Sequence, residues 1–177
     1  MAEILKRIEA TPAAYPAVPS GLSVKAAALD SDMVWQRIES YIAHRWTDRQ
    51  VVWTVEGPGC FEPDLTPATI TAVDVWQSDA WQPVALVASP LGGQVLPGEG
   101  PYRFTADVGS GAVPAAVSEA FKRLAEYMAP GEEHPGASSY SVQIPAIHLE
   151  ETRSSAWLAK AMQLSGAADL LRPYRRA

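Results

Sequence analysis

A chain of 177 residues with 47% apolar content holds one domain, or one domain with an arm. Its net charge of −6 argues against a sequence-independent DNA binder, whose attraction comes from Lys and Arg. One cysteine, Cys60, leaves no internal disulfide framework, and no stretch nears the ~20 apolar residues of a membrane span.

The charge is uneven. Residues 1–151 carry nine Lys/Arg against nineteen Asp/Glu, a net −10, whereas residues 152–177 carry five Lys/Arg and one Asp, a net +4. Six tryptophans and six tyrosines supply amphipathic contact area of the kind buried against partners, although core packing absorbs most of it. Fifteen prolines and twelve glycines imply many loops, edges and arms. The opening Met-Ala-Glu-Ile-Leu-Lys-Arg lacks the apolar run of a signal peptide, so a soluble protein made in the cytoplasm is expected.

In chain order, Glu3–Glu9 reads as a short helix. Pro12, Pro16 and Pro19 then forbid helix and predict an extended N-terminal arm over residues 1–21. A helical turn follows at Ser23–Leu29. Ser31-Asp32 supplies N-cap chemistry for a helix over Asp32–Trp46, with Val34, Ile38, Tyr41, Ile42 and Arg45 on one stripe and Trp35 and Trp46 flanking it. The period then changes to two. Val51–Val55 reads as a strand stopped by Gly57-Pro58-Gly59. Ala68–Gln77 reads as a strand apolar on both faces, and Trp81–Val87 as its hairpin partner across Gln77-Ser78-Asp79-Ala80, with Pro83 marking an edge. Leu91-Gly92-Gly93 and Leu96–Pro101 are turns, and Tyr102–Ala106 is a further strand.

Pro114 opens a helix to Met128, with Val117, Phe121, Leu124 and Met128 facing the core. Pro130–Gly136 is a polar loop, Ala137–Ile147 is extended and ended by Pro145, and a last helix covers Thr152–Ser165, stopped by Gly166. Segregated elements of this kind predict an α+β fold: a helical bundle with a small antiparallel β-sheet, an extended N-terminal arm, and a C-terminal helix plus tail.

Catalytic chemistry is thin. His44, His134 and His148 have no ligand spacing, and Glu132-Glu133-His134 reads as a solvated loop. Gly109-Ser110-Gly111 lacks the Gly-Lys-Ser/Thr ending of a phosphate loop and reads as a strand-to-helix turn. Ser138-Ser139 and Ser154-Ser155 have no neighbouring base. The pairs Asp30/Asp32 and Glu150/Glu151 are explained by helix starts. No catalytic residue, metal site or cofactor is expected. Leu170-Leu171-Arg172-Pro173-Tyr174-Arg175-Arg176 is instead costly surface to leave loose and suggests a docking peptide.

Several pieces occur in the order found in one family. They are Ser23–Asp30, the helix with Ile38–Arg45, Val52–Val55, the strand Ala68–Trp76, the entry Val113-Pro114-Ala115-Ala116-Val117, and the ending Gly166–Arg176 of form Gly-x-x-x-Leu-Leu-x-Pro-Tyr-Arg. In these the chain resembles the head-to-tail connector (adaptor) proteins of long-tailed bacteriophages and gene transfer agents. The Pro-rich N-terminal arm and the segment Glu132–Leu149 depart from that pattern.

The resemblance implies a connector core over residues 22–149 and a C-terminal helix and docking tail over 150–177. It implies a structural protein of the virion neck, made in the host cytoplasm. Such proteins form a ring, usually of twelve copies, under the portal, which extends the DNA channel and seats the stopper or tail. Partners would be the portal protein, a stopper or tail protein, further copies of the chain, and double-stranded DNA passing without sequence-specific binding. Leu170, Leu171, Pro173 and Tyr174 are the expected apolar portal anchors, and Arg172, Arg175 and Arg176 would meet acidic portal groups. Trp35, Trp46, Val73, Val75 and Trp76 are the expected contacts between subunits. The alternatives are another neck protein (stopper or tail terminator), a generic adaptor domain, or a small-molecule enzyme.

Overall fold

Alternating β-branched and aromatic residues make the first half of the chain a strand-rich unit, and helical periodicity gathers the rest around one long helix. The computed structural model describes residues 2–90, 92–129, 139–144, 147–152 and 156–175. Antiparallel sheets and helices are segregated, which makes the fold α+β. Two compact units divide it, one holding Met1–Pro16 and Ala43–Ala112, the other Ala17–Ile42 and Val113–Arg175. Within the expected N-terminal arm, Glu3–Glu9 is a strand of a sheet.

The first unit is built on a five-stranded antiparallel sheet in the order β1-β2-β8-β4-β5, namely β1 (Glu3–Glu9), β2 (Arg49–Glu56), β8 (Tyr102–Val108), β4 (Ala68–Gln77) and β5 (Ala80–Pro83). Three shorter strands, β3 (Gly59–Phe61), β7 (Gln94–Leu96) and β6 (Val87–Ala88), form a second sheet. Val51, Trp53 and Val55 of β2 and Tyr102, Phe104, Ala106 and Val108 of β8 share one face and pack with Phe61, Leu65 and Leu96 into a core. The opposite face carries the rows Ile8–Val52–Thr105–Ala72 and Lys6–Thr54–Arg103–Asp74–Pro83.

Several sequence expectations change here. Glu3–Glu9 is a strand, not a helix, because it pairs with Val51–Glu56. Strand β5 stops at Pro83, and Val87–Ala88 belongs to the second sheet. Gly59–Phe61 and Gln94–Leu96, which overlap the expected turns only at Gly59, Cys60 and Leu96, pair with each other. Ser78 and Asp79 take φ of 49° and 59°, the positive values that a tight two-residue hairpin requires.

In the second unit, α1 (Val24–Ala27), α2 (Ser31–Tyr41), α4 (Ala161–Leu164) and α5 (Ala167–Leu171) all pack on α3 (Ala115–Met128). Val34, Trp35 and Ile38 of α2 and Val117, Phe121 and Leu124 of α3 are fully buried. Asp30, one residue earlier than expected, caps α2 by accepting from the backbone N–H groups of Asp32 and Met33. The helix ends at Tyr41 rather than Trp46. Ile42 is extended, and the backbone of Ala43 and Arg45 hydrogen-bonds to Thr66 instead of continuing the helix. The last helix is much shorter than Thr152–Ser165. Thr152 ends a strand, and among the described residues after it helix begins at Ala161. The extended segment expected before Pro145 is β9 (Ser139–Ile144), which pairs with an unforeseen β10 (Ile147–Thr152). The polar loop Pro130–Gly136 lies outside the described residues.

Arg45 and Arg49 are buried, at 4% and 6% exposure, and both bond Glu9. Burial alone would raise the Glu9 carboxyl. Its hydrogen bond to Arg45 and the charges of Arg45, Arg49 and Arg7 outweigh that and hold it below the usual carboxylate range. Replacing Glu9 by Gln leaves two buried guanidinium groups short of a carboxylate. It should cost about 2–3 kcal/mol in urea unfolding at pH 7. Because the folded carboxyl titrates lower than the unfolded one, the stability it confers is complete above the unfolded value near ~4.3 and is lost as pH falls through the folded value. The Glu9→Gln variant should therefore lose less stability than the parent between neutral and acid pH.

Candidate functional site

The terminal segment is shaped by its own sequence. Gly166 adopts φ of 76°, a left-handed conformation suited to glycine, and turns the chain from α4 into α5. Pro173 then tightens Arg172–Tyr174 into a single 3-10 turn. Leu171 is fully buried and Leu170 half-buried, whereas Arg172, Pro173 and Arg175 are exposed and Tyr174 is half-buried. Leu171 thus belongs to the core of its own unit, and its expected role as an anchor for a partner is withdrawn. Arg172 forms a solvent-exposed ion pair with Asp169 at 3.0 Å. Arg175 lies 4.7 Å over the Tyr41 ring, and its Nη1 donates to the Tyr41 hydroxyl at 3.3 Å. Arg176 lies outside the described residues.

The expected subunit contacts divide in the same way. Trp35 is 1% exposed and packs on Phe121 with ring centroids 4.9 Å apart. Trp46 is 6% exposed and packs on His44. Val75 lies buried opposite Tyr102, and Val73 half-buried opposite Phe104. Trp35, Trp46 and Val75 are therefore interior residues of their own units and not surface contacts. Both tryptophans sit beside the apolar stripe, and a helix or loop covered from two directions buries more than the stripe.

Trp76 is different. At 41% exposure it stands on the open face of the sheet, directly opposite Trp81 and edge-on to it at 5.3 Å. The Arg103 guanidinium lies 4.7 Å over the Trp81 ring and is held by Asp74 at 2.8 Å. Aromatic and arginine side chains of this kind dominate the energetics of protein interfaces. Sequence reading missed Trp81, Arg103 and Asp74 as members of this cluster. Counting back from the two-residue turn Ser78-Asp79 pairs 76 with 81 and would have found the first.

The charged groups have structural uses. The Glu126 carboxyl accepts from the Ser23 backbone N–H and hydroxyl, which lowers its pKa. His44 is lowered by burial and by the charge of Arg45. Gly109 is required by packing rather than by a phosphate. Its φ is 103°, and a Cβ there would sit 2.2 Å from the Thr47 carbonyl oxygen. Asp30 and Asp32 open a helix as expected, but Glu150 and Glu151 lie in β10 and not at a helix start. Cys60 is exposed, with its Sγ 3.2 Å from the Gly92 carbonyl oxygen.

A cleft of about 430 Å³ is lined by Glu62, Pro63, Leu65, Thr66, Ala68, Ile70, Gly93 and Gln94. Glu62 is its one acid or base, so it assembles no acid–base pair. Among the described residues, no group of three or more His, Cys, Asp or Glu could hold a metal, and no helix is long and apolar enough to cross a membrane. Compared with family models, curated proteins and solved structures, the chain finds no match.

The terminal segment thus has one inward leucine and an outward polar and aromatic surface. Leu171→Ala should cost about 2–4 kcal/mol of stability, because it opens a cavity. Arg172→Ala should stay within about 0.5 kcal/mol, because its ion pair is exposed. Thermal and urea unfolding of the two variants separate these outcomes.

Proposed function

We propose that this protein is a structural component of a virion neck, a head-to-tail adaptor. It forms a ring under the portal, extends the DNA channel and offers a platform to the stopper or tail. In this reading the helices gathered on α3 act as the bundle of the connector. The terminal segment docks on the portal, and the ring, probed first for twelve copies, lets double-stranded DNA pass without reading its sequence.

One observation carries the reading. The ending Gly-x-x-x-Leu-Leu-Arg-Pro-Tyr-Arg is a short helix and a 3-10 turn that bury Leu171 and leave Arg172, Pro173 and Arg175 exposed. A basic ending on an otherwise acidic chain suits an acidic protein surface, and repeated round a ring its weak contacts add by avidity. The docking set is accordingly Arg172, Pro173, Tyr174, Arg175 and Arg176, with Leu170 at its margin. Trp76 is the retained candidate for contact with a neighbouring protein.

A second reading, another neck protein such as a stopper or tail terminator, draws on the sheet-dominated first unit. The small-molecule enzyme reading receives no support from the cleft, which gathers no catalytic pair.

Electron cryomicroscopy of the protein mixed with its portal tests the proposal. The expected result is a ring seated on the portal with the terminal segment against portal subunits. Deleting residues 172–177, which spares Leu171, should keep the fold and reduce attachment to background. Normal attachment of that truncated protein would overturn the docking assignment, and a ring seated below a different adaptor would favour the stopper.

A further inference from the structure

Strand β4 is paired unequally on its two sides. β8 runs beside Ala68–Val75. On the other side β5 reaches only Asp74–Gln77, and the Val84 N–H takes the Val73 carbonyl. The stretch Ala68–Ile70 has no strand beside it there among the described residues.

The hydrogen-bond phase fixes which groups that edge presents. The Ala10 N–H bonds the Gln50 carbonyl, so Gln50 and Val52 turn to β1 and Val51 turns to β8. Ala106 and Val108, opposite Val51 and Arg49, therefore turn to β2. Ala68 and Ile70 lie opposite Val108 and Ala106, so their N–H and C=O groups turn away from β8. The bond from the Gly109 N–H to the Pro67 carbonyl has the same phase. Among the described residues, nothing bonds the backbone of Ala68 or Ile70 on this edge.

The cleft of about 430 Å³ has Ala68 and Ile70 in its wall. Pro63 and Leu65 add apolar surface, and Glu62 and Gln94 add acceptors. Glu62 is exposed and is the one charged residue of the lining. The Gln94 Oε1 atom is buried and, among the described residues, accepts no hydrogen bond. An orphan acceptor of this kind costs stability until a donor reaches it.

We propose that the cleft and the open stretch of β4 bind an extended, basic segment of a partner protein, which adds an antiparallel strand to Ala68–Ile70. Two residues of the segment, set opposite Ala68 and Ile70, exchange backbone hydrogen bonds with them. A residue directly opposite another shares its sheet face, and here that face carries Leu65 and the core. Both side chains therefore enter the cleft. A Lys or Arg lays its stem on Pro63 and Leu65, sets its charge against Glu62 and brings Gln94 a donor. The net −10 of residues 1–151 favours the same sign of partner. The irregularity between Ile70 and Ala72, with β5 beyond it, limits the added strand to about three residues. This site is separate from the terminal segment and rests on no part of the neck reading.

The probe is a capped, fluorescent Thr-Lys-Thr-Lys-Thr peptide, followed by anisotropy on the full chain. It should bind about tenfold tighter than Thr-Glu-Thr-Glu-Thr and about threefold tighter than Thr-Leu-Thr-Leu-Thr. N-methylation of both Lys nitrogens removes the donors that face β4 and should weaken binding about tenfold. N-methylation of the central Thr, whose N–H faces away, should change it less than about twofold. Glu62→Gln should weaken the Lys peptide about threefold and leave the Leu peptide unchanged. Ala68→Pro removes one edge donor at the first residue of the strand, a position that tolerates proline, and should weaken the Lys peptide about threefold. Urea unfolding confirms that each variant is folded. In the parent protein, amide exchange at Ala68 and Ile70 should slow when the Lys peptide binds.

Equal binding of the peptide methylated at Lys, or unchanged exchange at Ala68 and Ile70, overturns the strand pairing. Equal or tighter binding of the Leu or Glu peptide overturns the basic partner. No binding of the Lys peptide at about 5 mM overturns the site itself. None of these readouts involves a portal, so failure here leaves the adaptor reading standing.

Discussion

Arg45 and Arg49 give up nearly all their water in the folded first unit, and the Glu9 carboxylate meets both, at 2.6 Å and 3.1 Å. Burying a guanidinium is tolerable only when its donors are satisfied. Here Thr47 and the His44 carbonyl take several of them, and Glu9 brings countercharge. Glu9 ends β1, Arg49 begins β2, and Arg45 lies in the segment that bonds Thr66. One carboxylate therefore holds the outermost strand, the start of its neighbour and the loop leading to β4. A second clasp works farther along β1, where Asp64 accepts from both Arg7 and the buried Trp53 indole. Side-chain ties on the core side of β1 hold it in place at the end of the five-stranded sheet.

Legibility in the sequence followed how local each decision was. The helix Ala115–Met128 and the hairpin at Ser78-Asp79 were readable because periodicity and turn chemistry settle them within a dozen residues. Glu3–Glu9 was not. Ile4, Leu5 and Ile8 fit a helical face as well as a strand, and the partner that decides lies more than forty residues away. Tyr41 ends its helix against the apolar pattern because Thr66 competes for the backbone of Ala43 and Arg45. Pro145 was read as the end of an extended segment, whereas the ladder resumes two residues later at Ile147.

Burial within the candidate site was harder to read than its composition. Leu170-Leu171 announces apolar contact, but composition cannot say whether that contact is inside or outside. The structure places Leu171 inside and leaves Arg172, Pro173 and Arg175 outside. Trp35 and Trp46 were treated as surface for the same reason. The exposed cluster that does exist, Trp76 with Trp81, Arg103 and Asp74, depends on cross-strand register, which brings together residues from three strands. Register is a tertiary fact, and only its first pair follows from the turn.

Edge chemistry also limits which assemblies this chain can build. A two-fold pairing of β1 with itself, centred on Lys6, would set Lys6 against Lys6 and Glu3 against Glu9. Centred on Arg7, it would set Arg7 against Arg7. Like charges directly opposite each other destabilise a ladder, so β1 disfavours its own copy.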